Sequence, residues 1–255
     1  NVEVVKTINS GKAHIKEPNL EKLVHESISS NTFSAQTKPS KADIFLITVP
    51  TPFIKSNSRI PKPNLDYVKS AARAISTVLE PGNLVIIEST CPVGTTKKIA
   101  ELIFEETKLN DKQVKIAYCP ERVLPGRILE ELISNDRVVG GLSPESSDAC
   151  KSFYQTFCRG EIHITNSETA EMVKLSENAY RDINIAYANE LSMLSNLSSI
   201  NVNELINLAN KHPRVNILNP GCGVGGHCIA VDPWFIASAE PENTDILQAA
   251  RLVNE

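Results

Sequence analysis

With 26 lysines and arginines against 30 aspartates and glutamates in 255 residues, the chain carries a net charge of −4 and offers no basic block for a nucleic acid. No apolar run reaches the roughly 18 residues of a membrane span, and its opening does not read as a signal peptide. A hydrophobic content of 41% suffices for one large or two smaller domains.

The first residue is not a methionine, and 1–11 reads as a helix ending at a glycine cap, so the chain is expected to be part of a longer protein. A second short helix is predicted over 20–29. The apolar, β-branched stretch 42–49 stops abruptly at Pro50-Thr51-Pro52 and predicts a buried strand. Helical periodicity follows over 64–80, ended by Pro81-Gly82. Residues 84–90 predict the next buried strand, Pro92-Val93-Gly94-Thr95 turns into a helix to about 107, and 114–118 gives a third strand ending at Cys119-Pro120-Glu121-Arg122. Strands alternating with helices of this length mean βαβ units and a parallel sheet. Ligands of such sheets sit beyond the carboxyl ends of the strands. Here those ends carry Pro50-Thr51-Pro52, Ser89-Thr90-Cys91-Pro92 and Cys119-Pro120-Glu121-Arg122, which suggests a ligand surface.

Ser143-Pro144-Glu145 caps a helix to about 157, and 161–165 reads as a strand. The longest helical pattern then runs from 167 to about 198; at about 1.5 Å per residue it is a rod of about 48 Å, suited to joining domains or to packing against its copy. Lys174 and Asn178 fall one turn apart on one face of it. A further helix over 202–211 precedes His212-Pro213-Arg214.

Next comes Asn219-Pro220-Gly221-Cys222-Gly223-Val224-Gly225-Gly226-His227-Cys228-Ile229-Ala230-Val231-Asp232-Pro233, with four of the eleven glycines. Glycine at that density lets the backbone take positive φ and approach a ligand closely. Cys228, late in the loop, is expected to be partly exposed and to meet a small molecule, with Asp232 placed to orient it, a water or a cation. Cys222, among the glycines, is expected to be a small filler. Gly221, Gly223 and Gly226 match the spacing of a dinucleotide loop, but no strand precedes them and no long helix is expected after them, so any phosphate loop of a dinucleotide fold lies before residue 1. The six cysteines contain no C-x-x-C pair; reduced thiols of a cytoplasmic enzyme fit better than a disulfide scaffold. A metal module of Cys222, His227 and Cys228 lacks a usual fourth ligand, and no metal is expected.

Taken together, Val49-Pro50-Thr51-Pro52, the run from Glu88 to Thr95, the run from Cys119 to Arg127, Asp136-Arg137-Val138-Val139-Gly140-Gly141, Thr169-Ala170-Glu171-Met172-Val173-Lys174-Leu175, the run from His212 to Leu218 and the run from Gly225 to Phe235 resemble the UDP-glucose/GDP-mannose dehydrogenase family over essentially the whole chain. The resemblance implies an α/β fold: a Rossmann-like parallel sheet over 1–165 with its N-terminal part missing, then an all-α dimerisation domain with one long helix over 166–255. A C-terminal UDP-binding domain is expected to be absent. It implies two successive oxidations at C6 of a UDP-sugar with NAD, in a cytoplasmic homodimer that touches neither nucleic acid nor membrane. By the same resemblance Cys228 is the nucleophile, and Lys174, Asn178, Asp232, Thr90 and Glu121 are its catalytic companions. Pro50, Thr51, Thr90, Glu121 and Cys228 line the NAD site; Arg122, Lys174, Asn178, Arg214 and Gly225 bind the substrate, Arg214 across the dimer. Pro125 and Val231 stand where UDP-glucose members often carry Glu and Lys, which fits the N-acetylmannosamine branch. A non-catalytic dimerisation core is the alternative from another class.

Overall fold

Strands that are apolar on both faces need helices on each side of the sheet they form. In the computed structural model, which describes residues 1–54, 58–226 and 228–255, the first part of the chain does this. The strands β1 (Ile44–Ile47), β2 (Leu84–Ile87), β3 (Lys115–Tyr118), β4 (Arg137–Gly141) and β5 (Ile162–Asn166) pair in that order. Leu84, Ile86, Ala117, Cys119 and Val139 form one core cluster with Cys150 and Tyr154 of a helix over Pro144–Tyr154 and with Cys158 just after it. The pleat turns Val85, Ile87 and Ile116 the other way, and these are equally buried. Helices over Asp66–Ser76 and Thr95–Thr107 pack on β1 and β3 respectively, and on one another.

In chain order these helices are α1 (Val2–Asn9), α2 (Leu20–Ser29), α3 (Asp66–Ser76), α4 (Thr95–Thr107), α5 (Ile128–Ser134) and α6 (Pro144–Tyr154). The glycine cap after α1 is present. Gly11 takes φ +78°, its N–H donates to the Ile8 carbonyl, and the Lys12 N–H reaches back to Thr7.

β1–β2, β2–β3 and β4–β5 are parallel, as expected. The exception is β4, which runs antiparallel to β3, pairing Ala117 with Gly141 and Tyr118 with Gly140. A parallel return requires a crossover past the sheet. Here the connection holds only the seven-residue α5. The Glu17 carboxylate also pins its start, accepting the N–H groups of Gly126 (3.0 Å) and Ile128 (2.9 Å). Neither α5 nor β4 was expected from the sequence.

The chain forms two compact units, one of 1–50, 66–89 and 94–170, the other of 51–65, 90–93 and 171–255. The second is mainly helical. α7 (Ser167–Leu197) has 31 residues, about 46 Å at 1.5 Å each, and is followed by α8 (Val202–Ala209), α9 (Asp232–Ala239), a 3-10 turn and α10 (Asp245–Asn254). α9 and α10 were not anticipated. α9 buries Trp234, Phe235 and Ala237 on successive faces, so it lacks the one-sided pattern that betrays a helix. Its Phe235 ring meets Phe53 edge-on, centroids 5.9 Å apart.

At about 100° per residue, Lys174, Asn178, Asp182 and Asn189 fall in one stripe along α7, and Tyr180, Tyr187 and Leu194 fall in another on the opposite side. Asn178, Asp182 and Asn189 are buried, whereas Tyr180, Tyr187 and Leu194 are each more than half exposed.

Candidate active site

The glycine loop has one position that no other residue could fill. Gly223 takes φ +104°, and a Cβ there would lie 2.7 Å from the Asn254 carbonyl oxygen. A Cβ at Gly221 or Gly225 would meet nothing, so the loop is open around them. His227 lies outside the described residues. Just beyond it, the Cys228 carbonyl accepts the N–H groups of Val231 (3.0 Å) and Asp232 (2.9 Å), which fixes the cysteine to the first turn of α9.

Cys228 is exposed, as expected. Cys222 is exposed as well, so it is no filler. The other four thiols are buried. Burial, with Glu171 nearby, pushes the Cys91 thiol well above the ordinary range.

Asp232 is buried, and its Oδ2 accepts the Asn178 amide at 2.6 Å. Burial raises its pKa to about 6, against the opposing pull of the Asn178 hydrogen bond and of the Lys174 charge. The unit therefore gathers a carboxyl that titrates near neutrality, an amide, an ammonium and, through the backbone, an exposed thiol. The tie between Asp232 and Cys228 is this backbone link; the carboxylate is engaged by Asn178. In the same unit the Thr51 hydroxyl donates to the Thr90 carbonyl at 2.8 Å, joining the segments that follow β1 and β2. Gly225 and Arg214 are exposed; the Arg214 N–H donates to His212 Nδ1 at 3.3 Å.

Pro50, Glu121 and Arg122 belong to the sheet unit. Pro50 is exposed beyond β1. Glu121 is half-buried, accepting the Arg122 N–H at 2.7 Å and the Arg137 guanidinium at 3.3 Å. The Arg122 guanidinium donates to the Asp136 carbonyl. Arg137 also stacks over the Tyr154 ring, 4.4 Å from its centroid, and the Tyr154 hydroxyl donates to Glu88, whose carboxyl burial holds above the ordinary range.

Four residues at the base of the loop were missed by sequence reasoning: Asp182, Asn189, Arg251 and Asn254, all buried. Arg251 pairs with Asp182 at 2.7 Å, and the Asn254 amide donates to the Asp182 carboxylate and carbonyl, both at 2.8 Å. The signal was available: Asp182 and Asn189 continue the stripe that Lys174 and Asn178 begin.

Sequence models of the UDP-glucose/GDP-mannose dehydrogenase family match residues 1–158 (NAD binding domain) and 168–255 (central domain). A UDP-N-acetyl-D-mannosamine dehydrogenase of Campylobacter jejuni is 51% identical over all of this chain and 64% of its own length. An NDP-N-acetyl-D-galactosaminuronic acid dehydrogenase of Ralstonia nicotianae is 50% identical over all of this chain and 61% of its own. Among solved structures, the UDP-D-ManNAc dehydrogenase of Pyrococcus horikoshii superposes with a TM-score of 0.92 at 43% identity, covering 99% of this chain and 60% of that one. The chain thus spans just over three-fifths of the curated relatives it matches. On the match of both domains in order, the chain belongs to the UDP-glucose/GDP-mannose dehydrogenase family.

Proposed function

We propose that the whole protein oxidises C6 of UDP-N-acetyl-D-mannosamine twice with NAD, yielding UDP-N-acetyl-D-mannosaminuronic acid through a thiohemiacetal and a thioester on Cys228. The observation that carries this reading is an exposed thiol fixed to the helix turn whose Asp232 titrates near neutrality beside Asn178 and Lys174. The names of the relatives from Campylobacter jejuni and Pyrococcus horikoshii favour the substrate.

The ends of β1 and β2 suit NAD: two adjacent parallel strands stop side by side, and the hydroxyl of Thr51 braces the backbone at Thr90 beyond them. Pro50, Thr51, Thr90 and Glu121 would hold the cofactor, two NAD+ in turn, each of which would accept one hydride from C6. Arg122, Arg214 and Gly225 would hold the nucleotide sugar, Arg214 from the partner subunit's copy. The Cys228 thiolate adds to the C6 aldehyde; the C–S bond forms and the carbonyl electron pair moves to oxygen, where the Lys174 ammonium and Asn178 amide stabilise it. Removal of the second hydride leaves a thioester. Water, placed by Thr90 and Glu121, then attacks the acyl carbon, the C–S bond breaks and the thiolate departs. Asp232, with a pKa of about 6, accepts the proton of that water.

The reading extends to a homodimer through α7. Its stripe of Tyr180, Tyr187 and Leu194 is apolar, exposed and spaced by seven residues, as a helix pair requires. Free thiols and the use of NAD suit the cytoplasm. The uronic acid product, an anionic activated sugar, suits a surface polysaccharide.

A second reading has one specific support, the 50% identity to the Ralstonia nicotianae protein: an N-acetylgalactosamine-type substrate. UDP-N-acetylglucosamine and UDP-glucose complete the comparison set. The test is NADH formation by the full-length protein from each of the four UDP-sugars, with sedimentation of the same preparation. UDP-N-acetylmannosamine should give the highest kcat/KM and two NADH per sugar, from a dimer. NADH from none of them would leave a non-catalytic dimerisation core, and a monomer at micromolar concentration would remove the dimer.

A further inference from the structure

The glycine loop is held at two points by the same face of one helix. At its far end, Asp232 is hydrogen-bonded to Asn178 of α7 and carries the turn that includes Cys228. At its near end, the Gly221 N–H donates to the Asn189 side-chain oxygen at 2.8 Å. Two positions on, Gly223 lies against the Asn254 carbonyl, which accepts the Val224 N–H at 2.9 Å. The Asn189 amide donates to the Asn254 side-chain oxygen at 2.8 Å, and Asn254 is itself held by Asp182. Each carboxamide thus has both ends occupied and cannot turn over without breaking a buried bond. Between Asn178 and Asn189, α7 rises about 16 Å, so the two anchors set a fixed span under the loop.

We propose that Asn189 and Asn254 are positioning residues: they hold residues 221–224 so that the following stretch, up to Cys228, approaches the sugar along one path. The proposal builds on the reading of Cys228 as the nucleophile and adds what aims the loop that presents it. Neither asparagine touches substrate; both act through the loop backbone.

The test uses the full-length protein and two substitutions at position 189. Asn189→Ala removes both bonds. It should speed amide hydrogen exchange at 221–224 and lower kcat by about 10- to 100-fold, the scale set by a misplacement of about 1 Å, with KM for NAD+ nearly unchanged. Asn189→Asp keeps the shape. Its protonated carboxyl can donate to Asn254 and accept from Gly221; its ionised form cannot donate, and the groups around it are Asn254, the Gly221 amide and the Asp182–Arg251 pair behind. Its kcat relative to wild type should therefore rise as pH falls, a dependence that a merely structural role would not produce. Should Asn189→Ala fail to fold, the Asp variant carries the test alone. Wild-type kcat with accelerated exchange in Asn189→Ala, or a wild-type pH profile in Asn189→Asp, would overturn the proposal. Cys228→Ser, assayed alongside, separates the two ideas: undiminished turnover there overturns the nucleophile itself, while loss of turnover there with a normal Asn189→Ala overturns the clamp alone.

Discussion

The sheet unit and the helical unit both bury charged groups, and they do so to opposite ends. In the sheet unit, Arg137 is nearly closed off from solvent and is met by the Glu121 carboxylate, the Leu132 carbonyl and the Tyr154 ring, while Tyr154 in turn donates to Glu88. Such a cluster sets a buried cation against an opposite charge and an aromatic face and locks strand ends, although the Arg137 Nε has no hydrogen-bond partner among the described residues and burial still lifts the Glu88 carboxyl. In the helical unit, Asp232 is just as buried but receives one amide and a more distant ammonium, and its pKa stays at about 6. The lesson is that what a buried charge faces matters as much as its burial: Arg137 meets a carboxylate, whereas Asp232 meets chiefly a neutral amide.

Breaking the comparison at its most reactive point should have the largest effect. Cys228→Ser should cut steady-state NADH formation at least about a thousandfold, because a hydroxyl stays protonated where a thiolate attacks. Cys222→Ser, on an equally exposed sulfur of the same loop, should leave turnover near wild type. The reverse pattern would move the chemistry to Cys222.

The next effect concerns stability. Asp182→Ala removes the short partner of the Arg251 guanidinium, which is 3% exposed, leaves it the longer 3.9 Å pair with Glu255, and should cost about 3 kcal/mol in chemical denaturation. Tyr154→Phe removes one hydrogen bond and no charge from the sheet cluster and should cost about 1–2 kcal/mol. Equal losses would mean that Glu88 depends on a neutral hydroxyl as strongly as Arg251 depends on its carboxylate.

The most diagnostic effect is confined to part of the pH range. The Asp232 carboxyl binds its proton more tightly folded than unfolded, since about 6 lies above the ordinary 3.8. The folded state is therefore favoured by this group at acid pH, and that advantage is lost as pH rises through about 6. Asp232→Asn, which never ionises, should be more stable than wild type near neutral pH by up to about 3 kcal/mol, with the gain vanishing below about pH 4. A denaturation series in which the two proteins stay parallel across that range would refute the raised pKa.

Much of this architecture was legible in the sequence, and the exceptions have physical causes. β2 and β3 are read correctly because a strand buried on both faces is an apolar run; β1 is equally apolar, but Leu46 stays exposed, so the buried strand expected there is buried on one face. α7 is read from its length, which exceeds any competing element. β4 was passed over because Arg137-Val138-Val139-Gly140-Gly141 carries an arginine and two glycines, weak strand formers that are needed here. Gly140 must be bare because a Cβ would lie 2.4 Å from the Asn166 carbonyl oxygen, and the arginine is buried by partners remote in sequence. In the candidate site, Lys174, Asn178 and Asp232 were singled out from spacing and family resemblance, and the fold sets Asp232 against Asn178 and within the field of Lys174. Asn189 was passed over although it continues the stripe of Lys174 and Asn178, and Asn254 carries no such signal, since an asparagine that holds a loop looks in sequence like any polar surface residue.

The opposed stripes of α7 make its length unusually hard to alter. One residue inserted between Asn178 and Asn189 would swing everything beyond it by about 100° and advance it about 1.5 Å. Placed between Tyr180 and Tyr187, it would cost Asn189 its bond to Gly221 and carry Tyr187 and Leu194 off the line of Tyr180 in the same stroke. Descendants of this chain are therefore free to change the letters along that rod far more readily than their number, and alignments across the central segment should be gapless where the surrounding loops are not.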